Sequence, residues 1–401
     1  MSGAEADASP HPLLRLKPRE GRRQKAGHPW AYSNEIAAAP DPRALPPGSL
    51  VRLEGDDGWR FGTWIANPHS LIAARRLDPD PAARIDAAWI GARLAEAAAL
   101  RAKTIAGPYH RLVHAEADRL PGLAIDRYDD VAVVQANTAG MDRLLPDLVS
   151  ALDALRPWRA VVARNDAPVR RLEGLPEEVR LLRGTDADAI VEEGGVVFPV
   201  DVLGGQKTGW FFDQRPNRDL VAALAAGARV LDAFSHAGGF GLRAAAAGAQ
   251  QVLLLDSSAA ALDQARAAAE RNALSPRVGF RRGDAFEVMA ELAAAGERFE
   301  VVVCDPPAFV RARKDLAAGL RAYARLARLA ARLAAPGGFL FLASCSHNVS
   351  PADFAAAVAE GLHRSGREGR IVHEGGAGPD HPVHPQLPET AYLKAQLLHL
   401  P

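Results

Sequence analysis

Two cysteines, Cys304 and Cys345, are all the thiol this chain of 401 residues carries. That excludes a disulfide framework and a four-cysteine zinc site. Net charge is also missing, with 48 Lys and Arg against 48 Asp and Glu. The overall basic balance that marks many nucleic-acid binders is therefore absent. No uninterrupted apolar run is long enough to span a membrane. Met1 to Pro12 lacks the basic-then-apolar order of a secretory signal and reads as a loose polar end. A cytoplasmic enzyme with no membrane partner is the simple expectation.

What is present is ordinary for a globular protein: 48% hydrophobic and 24% charged residues. At roughly 150 residues per domain the length suggests two or three domains. The alanines fall in helix-like runs. The charge, although balanced, is uneven. Arg15, Lys17, Arg19, Arg22, Arg23 and Lys25 stand close together, opposed only by Glu20. Such a patch can contact phosphates whatever the total charge, or it can be a solvated face. Around it, 48–54, 59–65 and 70–76 alternate or run apolar between Gly, Pro and Asp turns, which predicts a small β-barrel. Ile85 to Lys103 has a helical apolar face, as does Met141 to Leu155. Strands are predicted at 131–135 and 160–163, and a hairpin over Val191 to Val202 turns at Gly194-Gly195. This middle stretch reads as α+β and shows no chemistry.

From Arg229 onward, strands alternate with helices, which implies a doubly wound, mostly parallel sheet. The strands are 229–234, 251–256, 278–282, 301–304 and 339–343; the helices are 242–249, 258–273, 285–295 and 316–335. The first strand runs into Ser235-His-Ala-Gly-Gly-Phe-Gly241. Glycines there let the backbone pass close to a ligand and turn into a helix N-terminus. Asp256 ends the second strand, where an acid reaches ribose hydroxyls. Asp284 ends the third, where it can meet an adenine amino group, and Asp305 ends the fourth. Each acid alone could be a helix N-cap. A nicotinamide dinucleotide competes with S-adenosylmethionine at this point. The glycines, however, do not spell G-x-G-x-x-G, and a dinucleotide gives no reason for Asp305-Pro306-Pro307. Acids at three successive strand ends fit S-adenosylmethionine plus a target base.

Val301-Val-Val-Cys-Asp-Pro-Pro-Ala-Phe309 organises the rest. An apolar strand delivers one carboxylate, and two prolines stiffen the turn after it. The carboxylate can accept hydrogen bonds from base N–H groups, with Pro306, Pro307 and Phe309 lining a slot for a planar ring. Cytosine C5 is a poor nucleophile until a thiolate adds to C6. C5 methylation therefore needs a cysteine at the pocket edge, whereas methylation of an exocyclic amine does not. Cys345, flanked by Ser344 and Ser346 with His347 near, lies just past the last strand. It is the candidate nucleophile, or else a small residue in a strand-end loop. Cys304, inside its strand, reads as core, and His236 as a packing residue.

Several motifs together resemble the RlmI-like bacterial 23S rRNA cytosine-C5 methyltransferases. They are Gly205-Gln-Lys-Thr-Gly209, Phe212-Asp-Gln-Arg215, Phe234-Ser-His-Ala-Gly-Gly-Phe240, Asp305-Pro-Pro-Ala-Phe309, Ser344-Cys-Ser346, Asp380-His-Pro-Val383 and Tyr392-Leu-Lys394. Leu16 to Ile36 resembles the start of that family's RNA-binding PUA barrel, and Ala117 to Asp126 its central domain. The resemblance implies a class I Rossmann-like methyltransferase domain over 201–401, preceded by a PUA-like domain over 13–85 and an α+β domain over 86–200. It implies S-adenosyl-L-methionine as methyl donor, RNA (23S rRNA) as partner, and a homodimer. It suggests Cys345 as nucleophile and Asp305 as the group orienting and protonating the base. Gln214, Arg215, Asp232, Ser235, Gly238, Asp256, Ser257, Asp284 and Ala285 would line the cofactor site; Pro306, Pro307, Phe309, Arg22, Arg23 and Lys25 would meet substrate. Two segments depart from the family's pattern. Ser235-His-Ala-Gly-Gly239 replaces Ser-Tyr-Thr-Gly-Gly, and Tyr323-Ala-Arg-Leu-Ala327 replaces Tyr-Lys-x-x-Asn. The missing Lys and Asn are expected to lie near the substrate, which keeps three alternatives open: an exocyclic amine, a non-ribosomal RNA, or an inactive RNA-binding factor.

Overall fold

The computed structural model describes residues 10–205 and 208–401. The loose end expected over Met1 to Pro12 lies, up to residue 9, outside the described residues, as do Gln206 and Lys207 of the Gly205–Gly209 motif. The chain packs as two units. One holds the residues up to Ala189 with 201–210 and 379–388; the other holds 190–200, 211–378 and 389–401.

The first unit contains two sheets. Leu13–Arg15, Ser49–Glu54, Arg60–Ala66, Ala74–Asp78 and Trp30–Ala31 form a five-stranded sheet in that spatial order. A bridge between Leu16 and Ile36 ties its two edges together. Leu16, Val51, Leu53 and Trp64 fill its interior. The strand expected over 70–76 begins only at Ala74, because Asn67 and Ser70 close a turn first. The second sheet orders Glu178–Arg183, Ala160–Asn165, Val131–Ala136, Leu123–Tyr128 and Tyr109–His114. Helices Ala87–Thr104 and Leu145–Leu155 bury Leu94 and Leu148 against it. Asp86 starts the first helix by accepting from the N–H groups of Ala88 and Trp89.

The second unit is the doubly wound sheet. Its strands are β1 (Arg229–Ala233), β2 (Gln251–Asp256), β3 (Val278–Arg282), β4 (Phe299–Cys304), β5 (Ala334–Ser344), β6 (Arg370–Gly375) and β7 (Lys394–Leu400). Their spatial order is β3-β2-β1-β4-β5-β7-β6. The first five are parallel, and β7 runs antiparallel between β5 and β6. Connecting helices are α1 (Arg215–Ala222), α2 (Gly239–Ala246), α3 (Ala259–Arg271), α4 (Ala285–Ala294), α5 (Leu316–Leu333) and α6 (Pro351–Ser365). The strand order reverses between β1 and β4, so their carboxyl ends open the crevice where such sheets bind ligands. This is the expected α/β fold class, with the small barrel and the α+β portion in the other unit. Helix α5 ends at Leu333, two residues earlier than the sequence predicts, because Pro336 bars its predecessor from the helical region. Pro336-Gly337-Gly338 then lies within β5 rather than before it.

Candidate active site

The turn after β1 is built around Asp232. This side chain is 1% exposed, and its Oδ2 accepts from the Gly241 N–H at 2.8 Å. A Cβ at Gly241 would sit 2.2 Å from Leu254 Cδ2, so only glycine lets α2 come this close to β2. Gly238 caps α2 in the left-handed region at φ 79°, and Phe234 and His236 also hold positive φ. Strain at two non-glycine residues beside a helix N-terminus is typical of a ligand cradle. The Oδ1 of Asp232 and the Oγ of Ser235 are buried without a hydrogen-bond partner. Burial, reinforced by Asp305 and Asp256, pushes the Asp232 carboxyl up to about 8 although Gly241 donates to it. Orphaned buried polar atoms of this kind call for a polar ligand, and S-adenosylmethionine, with its ammonium and hydroxyls, fits them.

Asp256 closes β2. Its two oxygens accept from the N–H groups of His236 (2.9 Å) and Ser258 (2.8 Å), which fixes both flanking loops. Ser257 lies between them, exposed. Asp284 is the N-cap of α4, and its Oδ1 accepts from Phe286 and Glu287. The capping role is thus real at Asp284, and it employs one of the two oxygens. Ala285 is buried behind it. Gln214 is buried with its Oε1 on Asn217 at 2.6 Å. Arg215 belongs to a charge cluster that the sequence does not reveal. Glu193 accepts from Arg218 Nε at 2.6 Å and Arg243 Nη1 at 2.9 Å, with Arg215 Nε 3.7 Å away. Burial alone would raise the Glu193 carboxyl, but Arg218, Arg215 and Arg243 together hold it down at about 2. The common signal was only the Gly194-Gly195 hairpin, which brings Glu193 to three arginines far along the chain.

Asp305 follows β4, and its N–H reaches the Ala233 carbonyl of β1 at 3.4 Å. This places the carboxylate at the reversal point. Pro306 is buried and Pro307 exposed. The Phe309 ring lies 5.9 Å from Phe286 and 4.8 Å from Tyr323, so one side of it leans on the core.

Cys345 leaves the end of β5 between two serines with no exposed surface. A single hydroxyl holds both. Ser344 Oγ donates to Tyr323 Oη at 2.8 Å, and Tyr323 Oη meets Ser346 Oγ at 2.9 Å. Ser346 Oγ also accepts from the Val310 N–H at 3.2 Å, which ties the thiol's loop to the Asp305 loop. On the other side, Lys394 of β7 pairs in register with Ser344 and donates from Nζ to the Ser346 carbonyl at 2.7 Å. Burial lowers the Lys394 ammonium, and the neighbouring Cys345 sulfur pulls it back up. That coupling works in both directions: the ammonium favours the Cys345 thiolate. Sequence reasoning quoted Lys394 only as part of a motif and missed this role. Cys304, by contrast, is wholly buried in the core, and burial raises its thiol far above the usual range. His347 stacks 5.1 Å from Tyr392, whose hydroxyl donates to Asp213.

Positions 324 and 327, expected to lie near the substrate, are taken up by helix packing. Ala324 and Ala327 are buried in the contact between α5 and α6, where a Cβ on Gly361 would lie 2.6 Å from Ala327 Cβ. Ala324 follows Tyr323 directly and Ala327 lies one turn beyond it, whereas the Tyr323 hydroxyl reaches the serines.

Arg22, Arg23 and Lys25 belong to the other unit, on the short helix Arg22–Lys25. Arg23 donates to Glu35 at 2.7 Å and covers the Tyr32 ring. Lys25 pairs with Asp57 and lies over Trp59. Arg22 is exposed.

The signature of an S-adenosylmethionine-dependent methyltransferase matches residues 164–399, and that of a PUA-like domain matches residues 14–79. Ribosomal RNA large subunit methyltransferase I of Cronobacter sakazakii is 35% identical over 383 residues, covering 93% of this chain and 95% of its own. The protein of the same name from Aeromonas salmonicida is 36% identical over 375 residues, covering 92% and 94%. A SAM-dependent methyltransferase from Streptococcus mutans superimposes with a TM-score of 0.80 at 19% identity, over 97% of this chain and 100% of that one. That likeness speaks for the fold alone.

Proposed function

This chain belongs to the ribosomal RNA large subunit methyltransferase I family of S-adenosylmethionine-dependent methyltransferases, and we propose that it forms 5-methylcytidine in 23S rRNA through a Cys345 adduct. The observation that carries this reading is the thiol's setting. Cys345 sits at the carboxyl edge of β5, clamped by Tyr323 and paired electrostatically with Lys394, one strand from Asp305.

S-adenosylmethionine, when bound, supplies the electrophilic methyl group; Asp232, Ser235, Gly238, Asp256, Ser257, Asp284 and Ala285, with Gln214 and Arg215 behind, would hold it. The Cys345 thiolate adds to C6 of the cytosine, and the ring electron pair moves toward C5. Asp305 hydrogen-bonds the amidine edge of the base and provides the N3 proton as charge develops there. Pro306, Pro307 and Phe309 keep the ring in its slot. Once C5 has taken the methyl, with S-adenosylhomocysteine as the leaving group, the C5 proton is lost to solvent, its electron pair moves toward C6, and N3 returns its proton to Asp305. The carbon–sulfur bond then breaks, and the thiolate returns next to Lys394.

In the same reading, residues 13–85 are the RNA-binding barrel, 86–200 the central domain and 201–401 the methyltransferase domain, with Arg22, Arg23 and Lys25 on the RNA side of the barrel. The protein acts in the cytoplasm as a homodimer. The exposed Ile371 and Val372 on edge strand β6 support self-association, which light scattering tests.

The experiment for the reaction is methyl transfer from tritiated S-adenosylmethionine to deproteinised 23S rRNA, with nucleoside analysis, for the wild type and Cys345→Ala. Labelled 5-methylcytidine that disappears in the variant is the expected outcome. Label in an N-methylated nucleoside, or transfer retained by Cys345→Ala, would remove the thiolate mechanism.

A further inference from the structure

We propose that the outward face of α5 is a phosphate-binding track for the RNA substrate, an inference that rests on the reading of this chain as an RNA methyltransferase. Helix α5 carries charge of one sign: Leu316 to Leu333 contains no acidic residue. From Arg321 to its end, the exposed positions are Arg321, Arg325, Arg328 and Arg332, and every other residue is buried or partly so. The four follow one another by four, three and four residues, so they form one row down the helix. Among the described residues none of the four forms an ion pair, whereas Arg101, Arg111, Arg170, Arg218 and Arg243 are each matched to an acid.

A solvated helix face has a different composition. Elsewhere in this chain, helix faces mix signs, as in the Glu360–Arg364 pair on α6 and Asp263–Arg266 on α3. Like charges three and four residues apart destabilise a helix. The dipole at the helix C-terminus favours a cation only in the last turn, which accounts for Arg332 alone. The row therefore works against the stability of its own helix unless something anionic lies along it.

Position identifies the anion. Helix α5 begins eleven residues after Asp305, on the segment that carries the Asp305-Pro-Pro turn, and crosses over to β5, which ends at Ser344, one residue before Cys345. Arg311, Arg313 and Lys314, all exposed, lead from the turn into the helix, opposed only by Asp315. The guanidinium of Arg325 lies 4.8 Å over the Phe286 ring, and Phe286 neighbours Phe309. The row starts at the ligand edge and extends roughly 16 Å from Arg321 to Arg332 at a rise of about 1.5 Å per residue. Successive guanidinium groups stand about one phosphate step apart. An RNA strand whose target base enters beside Asp305 meets a cation at each of several phosphates flanking that base. Guanidinium forks suit phosphate oxygens and read no sequence.

The test compares the full-length wild type with the quadruple variants R321Q/R325Q/R328Q/R332Q and R321K/R325K/R328K/R332K. Binding of deproteinised 23S rRNA is measured across a salt series, together with S-adenosylmethionine affinity and the melting temperature. The four positions point to solvent, so both variants are expected to keep the wild-type cofactor affinity, the Lys variant also the wild-type melt, and the Gln variant to melt at or slightly above wild type once the like charges are gone. The Gln variant should bind rRNA at least about tenfold more weakly near 0.1 M salt, with the slope of log K against log salt shallower by about 3, from four lost contacts to a single strand. The Lys variant should keep the wild-type slope. An unchanged slope in the Gln variant overturns the track, as does a Lys variant that falls as far as the Gln variant. A Gln variant that loses polyglutamate binding while keeping rRNA binding also overturns it and reassigns the face to an acidic protein. Binding is read without turnover, so a wild type that binds rRNA but transfers no methyl would count against the reaction and not against this face.

Discussion

Replacing Tyr323 by Phe isolates one oxygen atom. The ring contacts survive: Phe309 at 4.8 Å and Phe354 at 5.3 Å pack against carbon atoms that both residues share. The hydroxyl's two hydrogen bonds do not. Ser344 Oγ loses its acceptor, and Ser346 Oγ keeps only the Val310 N–H. Tyr323, Ser344 and Ser346 are all at most 1% exposed, so water cannot replace the missing partner. Burial also raises the Tyr323 phenol above its ordinary range, so a neutral hydroxyl is being removed. Two neutral hydrogen bonds lost in a dry site, with one serine left short of a partner, come to about 2–3 kcal/mol. For a unit of this size that is a fall of roughly 5–10 °C in melting temperature. The same hydroxyl spans both residues that flank Cys345, so the thiol's placement loosens as well. A misplaced nucleophile loses about 10–100-fold in kcat, while the KM for S-adenosylmethionine should hold. The assays are thermal unfolding and single-turnover methyl transfer on the same preparation. A variant that is destabilised as expected yet transfers methyl at the wild-type rate would refute the clamp; an unchanged melt would refute the hydrogen-bond network itself.

Two further predictions concern charge. Cys304 is entirely buried, so alkylation of the native protein by iodoacetamide reports Cys345. Lys394→Met removes the cation beside that thiol, and the pH of half-maximal alkylation should move upward; no movement would detach Lys394 from Cys345. Glu193 is held at about 2, below its ordinary 4.5, because Arg218 and its neighbours outweigh burial. A depressed carboxyl contributes stability that is complete above pH 4.5 and disappears as pH falls toward 2. That contribution is about 3 kcal/mol. Glu193→Gln should therefore be less stable at pH 7 and lose the steep part of the urea-stability curve between pH 4.5 and 2; a curve parallel to wild type would exclude Glu193 as its source.

The catalytic sheet was legible because parallel central strands are continuous apolar runs. Val301–Cys304, Val252–Leu255 and Phe339–Ala343 have no polar face to confuse the pattern. Glu178–Arg183 and Arg370–Gly375 were not seen, because edge strands expose most of their residues and carry arginines and glutamates in place of an apolar row. The strand-end acids were legible for a related reason: each stands where an apolar run stops at a turn. The environment of Cys345 was not. Tyr323, Ser344, Ser346 and Lys394 come from two strands, a loop and a helix, and only the fold reports that one hydroxyl joins two of them. The Glu193 cluster is similar, with partners at 215, 218 and 243. Local periodicity predicts which way a side chain faces; it says nothing of which distant side chain it meets.

The departure at Tyr323-Ala-Arg-Leu-Ala327 takes on a different meaning once α5 is seen edge-on. Tyr323 keeps the site-facing position, while Ala324 and Ala327 lie against α6, where Gly361 approaches to within 2.4 Å of the Ala324 carbonyl when given a Cβ. Small residues on both helices permit that approach. Restoring the family's asparagine by Ala327→Asn would push an amide into a contact with no exposed surface. Overpacking there costs about 1–3 kcal/mol, and an unpaired buried amide about as much again. The expected result is a melting temperature lower by roughly 5–15 °C, with no gain in methyl transfer at a temperature where the variant is folded. If the departure had removed a substrate contact, the same change would raise activity toward rRNA and lower its KM with little effect on the melt. The two outcomes have opposite signs in both assays, so one variant decides whether position 327 belongs to the helix packing or to the RNA.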